Sequence, residues 1–264
     1  MINYLLNLNN VFLAFLACIF TWLITVLGAM VVFLFKKVSK TILDIMLSFA
    51  AGVMVAASFF SLISPALSIS ESLNSNGPII ITLGFICGGF FLFIGDKIFS
   101  KLIRDNKKKN NLKRTFMLIF SITLHNIPEG LAVGVAFGYM QYNLLGSSLI
   151  SALTLAFGIG LQNFPEGIAV SLPLKRDGMS SKKAFLIGGL TGIVEPISSV
   201  IGAILVLKVQ TILPFLLSFA AGTMIYVVTL ELIPESQTNK SKDLMTLSTI
   251  LGFAVMMFLD IFFG

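Results

Sequence analysis

His125 is the only histidine in the chain, and it stands inside a long apolar run. Glu129 follows four residues later, on the same helical face. Asn126 lies three residues before Glu129, so one carboxylate can be shared between two neighbouring donors. A second run repeats the arrangement with Gln162, Asn163 and Glu166, and a third adds Glu195 ahead of Pro196. Imidazole, carboxylates and amide oxygens form a donor set suited to zinc, iron, manganese or cobalt. No cysteine falls in the cluster, which argues against a copper(I) site. Each proline breaks its helix beside a carboxylate: Pro128 cannot donate to the carbonyl of Leu124, Pro165 to Leu161, or Pro196 to Gly192. A freed carbonyl in lipid is costly unless it lines a cavity or meets a ligand.

The elements that carry these residues belong in a membrane. Of 264 residues, 56% are hydrophobic and 11% charged, against about 25% charged in a soluble domain. Apolar runs long enough to cross a hydrocarbon core of about 30 Å recur along the whole chain. The first ten residues hold no Lys or Arg, so the first run reads as a true span and not as a signal peptide. Cys18 and Cys87 lie within apolar runs and read as buried thiols, not as a disulfide framework. The pattern predicts an all-α integral membrane protein, one transmembrane domain over 1–264. Its eight helices lie near 10–35, 41–64, 78–100, 115–140, 145–172, 184–207, 211–233 and 244–263.

Charge then orients the chain. The net charge of +6 could suggest nucleic acid, but its placement argues for a lipid bilayer as the partner. With eight spans, 17 of the 18 Lys and Arg fall on one face, and only Lys208 on the other. By the positive-inside rule that face is cytoplasmic, which puts both termini outside the cell membrane. The basic loop at 101–114 reads as a linker that anchors this topology, with anionic lipid head groups as the sharper alternative. Counted from the nearest cytoplasmic basic residue at about 1.5 Å per residue, His125, Glu129, Gln162, Glu166 and Glu195 all sit roughly 14–22 Å deep, around the midplane.

At that depth an ionised carboxylate costs about 2.5–3.5 kcal/mol even on the gentler insertion scale. From Thr115 to Leu174 the chain has no Lys or Arg. The compensation must come from bound cations or from protons. A polar knot of protonated glutamates and a proton relay without metal are the two alternatives; the donor set looks more like a cation-coordination set.

The runs are also related to one another. Leu47–Met54 reads LSFAAGVM and Leu217–Met224 reads LSFAAGTM; Leu-Gly-Phe recurs at Leu83 and Leu251; HNIPEGLAV from His125 is echoed by QNFPEGIAV from Gln162. Helices 1–3 therefore match helices 6–8 in inverted orientation, with 4 and 5 between them. Inverted repeats around a midplane site are a transporter signature.

HNIPEG, QNFPEG, the Glu195–Pro196 pair and the ELIPE of Glu231–Glu235 resemble the ZIP family of zinc and iron transporters, across essentially the whole chain. The Gln that opens the second motif is similar to the bacterial GufA-type branch. The resemblance implies a 3+2+3 inverted-repeat bundle that imports divalent metal ions, zinc foremost and also iron, manganese, cobalt or cadmium; a homodimer is a candidate assembly. It implies one metal position at His125, Glu129, Gln162 and Glu166. A second, adjacent position would use Asn126, Glu129, Asn163, Glu166 and Glu195, with Glu129 and Glu166 bridging. Met54 and Ser61 on helix 2 become candidates for the outer approach, and Asp96 and Glu231 for the exit. Gln162 stands where many relatives have a second His, and Asn163 where some have Asp. Both exchanges lower ligand strength or charge and bear on zinc selectivity and on two-metal occupancy. The loop after helix 3 has no His, so metal sensing by it is not implied.

An intramembrane metallo-hydrolase would want two or three His around zinc and an open position for water. One His and the absence of HExxH weigh against it. A metal-gated channel or a sensor is the third class; the inverted repeat favours alternating access instead.

Overall fold

A computed structural model describes residues 8–34, 39–103, 110–140, 149–208, 210–238 and 241–263; within these, the side chains of 99–103, 110–118, 121, 125, 207, 208, 210 and 263 lie outside the description. The described residues form eight long helices. α1 is Asn10–Met30, continued by a 3₁₀ turn at Val31–Phe33. α2 is Lys40–Ala57, then a π turn at Ser58–Ile63, then Ser64–Ser72. α3 is Gly77–Ile103, α4 Asn110–Tyr139 and α5 Leu149–Arg176. α6 is Ser181–Leu190 and Val194–Lys208, joined by a 3₁₀ turn at Thr191–Ile193. α7 is Leu213–Val227, a π turn at Val228–Leu232 and Ile233–Ser236; α8 is Lys242–Phe263.

Side chains set several of these ends. The Asn9 carboxamide accepts from the Val11 amide at 2.8 Å and opens α1, and Ser180 caps α6, both in the manner of an N-cap. Several boundaries differ from expectation. α2 does not stop at 64 but continues to Ser72, and α7 continues to Ser236. Pro65 and Pro234 look like breakers in the sequence. Each follows a π turn, where the hydrogen-bond register has already shifted and a missing N–H is tolerated. The basic loop is also shorter than 101–114, because α3 extends to Ile103 and α4 begins at Asn110; residues 104–109 lie outside the described ones.

Among the described residues, six helices are long and apolar enough to cross a membrane: Asn10–Phe33, Lys40–Ser72, Gly77–Ile98, Ser181–Val206, Leu213–Ser236 and Lys242–Phe262. The expectation of eight helices is met in count; α5 is not among the six, and α4 has side chains at 110–118, 121 and 125 outside the description. These two carry the polar motifs, and burial explains how they do so. α5 is buried without a break from Pro165 to Leu174, so its polar residues face protein. α3 and α8 form the outside, presenting Phe90, Ile98, Leu247 and Phe258 outward. Cys87 also lies on the exposed face of α3, against the expectation of a buried thiol; Cys18 is buried, and both are free.

The dominant packings pair α1 with α5, α4 with α6, α2 with α8 and α3 with α7. Small residues make them close. A methyl group on Gly134 of α4 would run into the carbonyl of Ser199 on α6, and one on Gly167 of α5 into the carbonyl of Thr25 on α1. Close backbone approach of this kind is how membrane helices gain packing without a hydrophobic driving force between them.

Candidate metal centre

α4, α5 and α6 bring the predicted polar layer together. Asn126, Glu129, Gln162, Asn163, Glu166 and Glu195 are all buried, none more than 4% exposed. His125 lies on α4 one residue before Asn126, its side chain outside the described ones. The prolines do not break their helices as expected: Pro128 and Pro165 lie inside continuous α4 and α5, each only withdrawing one backbone donor within the layer. The 3₁₀ turn Thr191–Ile193 comes immediately before Glu195–Pro196.

The amides bridge the helices. Gln162 Nε2 on α5 donates to Glu129 Oε1 on α4. Asn163 Nδ2 donates to both Glu195 oxygens on α6, at 3.0 and 3.0 Å. The Thr21 hydroxyl on α1 donates to Glu195 Oε2. One layer thus holds three buried carboxyl groups, Glu129, Glu166 and Glu195.

Several acceptors in the layer face no donor. Gln162 Oε1, Asn163 Oδ1 and both amide atoms of Asn126 are buried and have no hydrogen-bond partner among the described residues. A buried polar group without a partner costs about 1–3 kcal/mol, and a native chain accumulates such groups where a ligand serves them. A carboxamide donates with nitrogen or accepts with oxygen. Turned over, each amide that now binds a carboxylate would offer its oxygen to a cation between the two. As they stand, the described Cys, Asp and Glu, which do not include the His125 side chain, form no group of three close enough to hold a metal ion; the amides lie between the carboxylates.

The pathway candidates scatter. Met54 is buried at the end of the first part of α2, its carbonyl accepting from Ser58 at 2.7 Å. Ser61 lies in the α2 π turn, donates to Asp260 Oδ1 at 2.7 Å, and lines a cleft of about 420 Å³ with Pro65, Tyr139, Ser151, Leu155 and Leu217. Val135 and Leu155, which also line the cleft, stand about 9 Å and about 10.5 Å along their helices from Glu129 and Gln162. Asp96 accepts from the Tyr226 hydroxyl at 3.0 Å, tying α3 to α7. Glu231 sits in the α7 π turn, partly buried. None of the four joins the polar layer.

Sequence reasoning missed two residues. Thr21 touches Glu195 from a helix read only as an apolar span; its signal is the Thr21–Thr25 pair, four residues apart in an otherwise apolar run. Asp260 bonds Ser61, and an acidic residue inside a span is a site candidate by default.

The whole chain has relatives. The model of the family described as ZIP Zinc transporter matches residues 9–115 and 104–260. The chain is 35% identical to the zinc transporter ZIP11 of Homo sapiens, over 97% of this chain and 98% of that one. It is 33% identical to the zinc transporter ZIPB of Bordetella bronchiseptica, over 91% and 78%. To the zinc transporter GufA of Myxococcus xanthus it is 32% identical, over 91% and 94%.

Proposed function

The chain belongs to the ZIP zinc transporter family, and on that premise we propose that it imports zinc into the cytoplasm through a binuclear site at the centre of α4, α5 and α6. It is a multi-pass membrane transporter of divalent metal cations and not an enzyme. In the finer reading, His125, Glu129, Gln162 and Glu166 hold one metal. Asn126, Asn163 and Glu195 hold a second, with Glu129 and Glu166 shared. Iron, manganese, cobalt and cadmium are further substrates. Gln162 at the head of the second motif supports a place in the GufA-like branch.

The observation that carries this reading is the buried layer itself. Three carboxylates and three amides from three helices meet in it; five of the six lie between Thr115 and Leu174, where the chain has no Lys or Arg, and four amide atoms lack partners among the described residues. A hydrolase would need more imidazole, and a structural knot would pair its amides.

Packing supports the inverted repeat. Exchanging α1 with α6, α2 with α7, α3 with α8 and α4 with α5 converts the α1–α5 packing into α6–α4, and α2–α8 into α7–α3. The π turns obey the same relation: Val228 follows Ser58 by the 170 residues that separate Leu217 from Leu47. Two such halves around a midplane site favour alternating access, with both termini outside.

The test is uptake into proteoliposomes with zinc, iron, manganese and cadmium in parallel. Saturable uptake, strongest for zinc, is the expected result. Current without saturation would instead make the protein a channel, and neither uptake nor current would leave a sensor.

A further inference from the structure

We infer that Thr21 on α1 is a positioning residue for the second metal position, holding Glu195 where that position needs it; this deepens the binuclear reading above and rests on it. Glu195 is fully buried, and its carboxylate is met from two sides. Asn163 donates to both oxygens from α5, and the Thr21 hydroxyl donates to Oε2 from α1. Thr21 also reaches Asn163 directly, since its main-chain carbonyl accepts from Asn163 Nδ2 at 3.3 Å. One residue of α1 therefore touches two of the three side chains that distinguish the second position from the first, Asn163 and Glu195. Gln162, assigned to the first position alone, instead bonds Glu129.

The surroundings keep this contact in place. Thr21 is fully buried, as is Thr25 one turn on. A methyl group on Gly192 would meet Glu195 Oε1 at 2.9 Å and Thr25 Oγ1 at 3.1 Å, so α1 and the start of α6 leave no room between them. The Trp22 indole donates to the Gly189 carbonyl at 2.7 Å and fixes the two helices in register. When Asn163 turns its oxygen toward a cation, its two bonds to Glu195 are given up. The Thr21 hydroxyl is then the remaining described donor to Glu195, and it determines which oxygen faces the metal. Removing it leaves a carboxylate free to rotate, while the volume at position 21 is unchanged if valine replaces threonine.

The test is calorimetric titration of the purified full chain with zinc alone, for the parent, Thr21→Val, Thr21→Ser, Glu195→Gln and the double variant Thr21→Val/Glu195→Gln. The parent should bind two zinc ions. Thr21→Val should weaken the second step by about tenfold, the loss of one hydrogen bond to a charged group, and leave the first within about twofold. Thr21→Ser should restore the parent values, because it keeps the hydroxyl. In the Glu195→Gln background Thr21→Val should change nothing further. Equal weakening of both steps, no weakening of either, or a Thr21→Val effect that persists with Gln at 195 would each overturn the assignment to Thr21 alone. A parent that binds a single zinc with Glu195→Gln unchanged would instead overturn the binuclear reading, and the role of Thr21 with it.

Discussion

At the scale of the residue, the account turns on which groups are shared. Glu129 and Glu166 are each assigned to both metal positions, whereas Asn163 belongs to one and contributes a neutral oxygen. Replacing either glutamate by glutamine removes a charge from both positions at once. Glu129→Gln and Glu166→Gln should each reduce zinc affinity by more than about 100-fold, beyond what a supporting partner of a ligand is worth; Asn163→Ala should cost about tenfold. Uptake by either glutamine variant that matched the parent at equal expression would remove the bridging assignment. Gln162→His tests the departure at the second motif. Imidazole is a better zinc donor than an amide, so affinity for zinc relative to manganese should rise in competition titrations. An unchanged ratio would take Gln162 out of the ligand set.

At the scale of the element, the site depends on how near α4 and α6 come. Their contact is backbone to backbone at Gly134, where an added methyl group would meet the Ser199 carbonyl. Gly134→Ala should therefore lower stability by about 1–3 kcal/mol through overpacking, despite the better helix propensity of alanine. Gly89→Ala is the control, since its nearest neighbour would be the Gly222 carbonyl at 3.7 Å, an ordinary contact. Thermal unfolding in detergent should show a lowered midpoint for the first and none for the second; equal midpoints would mean that the close approach is not required. The helices themselves were legible before the structure. Polar breaks between apolar runs marked them to within a turn in most cases, and the repeated HNIPEG and QNFPEG, with the Glu195–Pro196 pair, named the layer that Asn126, Glu129, Gln162, Asn163, Glu166 and Glu195 form. What escaped notice depends on contact between distant segments. Nothing local marks a π turn, so the expected helices stop at 64 and 233, short of where α2 and α7 end. Likewise Thr21 is one hydroxyl in an apolar span until α1 is laid against α6, and Asp260 one carboxylate near a chain end until it meets Ser61.

At the scale of the whole molecule, orientation and charge balance remain to be measured. Seventeen of 18 basic residues on one face predict that a cysteine placed at Lys107–Lys109 is protected from impermeant thiol reagents in intact cells, while one at Asn74–Asn76 is labelled. Cys18 and Cys87 are replaced beforehand, and the opposite pattern would invert the topology. The central claim is that a layer of carboxylates without Lys or Arg nearby in sequence is a cation site. Such a layer needs protons for neutrality when it holds no metal, and metal ligands must be deprotonated to bind. Zinc binding should then release protons, and apparent affinity should fall as pH drops from about 7.5 to about 5.5. The direct measurement is calorimetric titration of the purified protein with zinc at pH near 6.5 in buffers of different ionisation enthalpy. The account predicts a heat that varies with the buffer and varies less in Glu195→Gln; the same heat in every buffer would mean that no net proton leaves, and would contradict it.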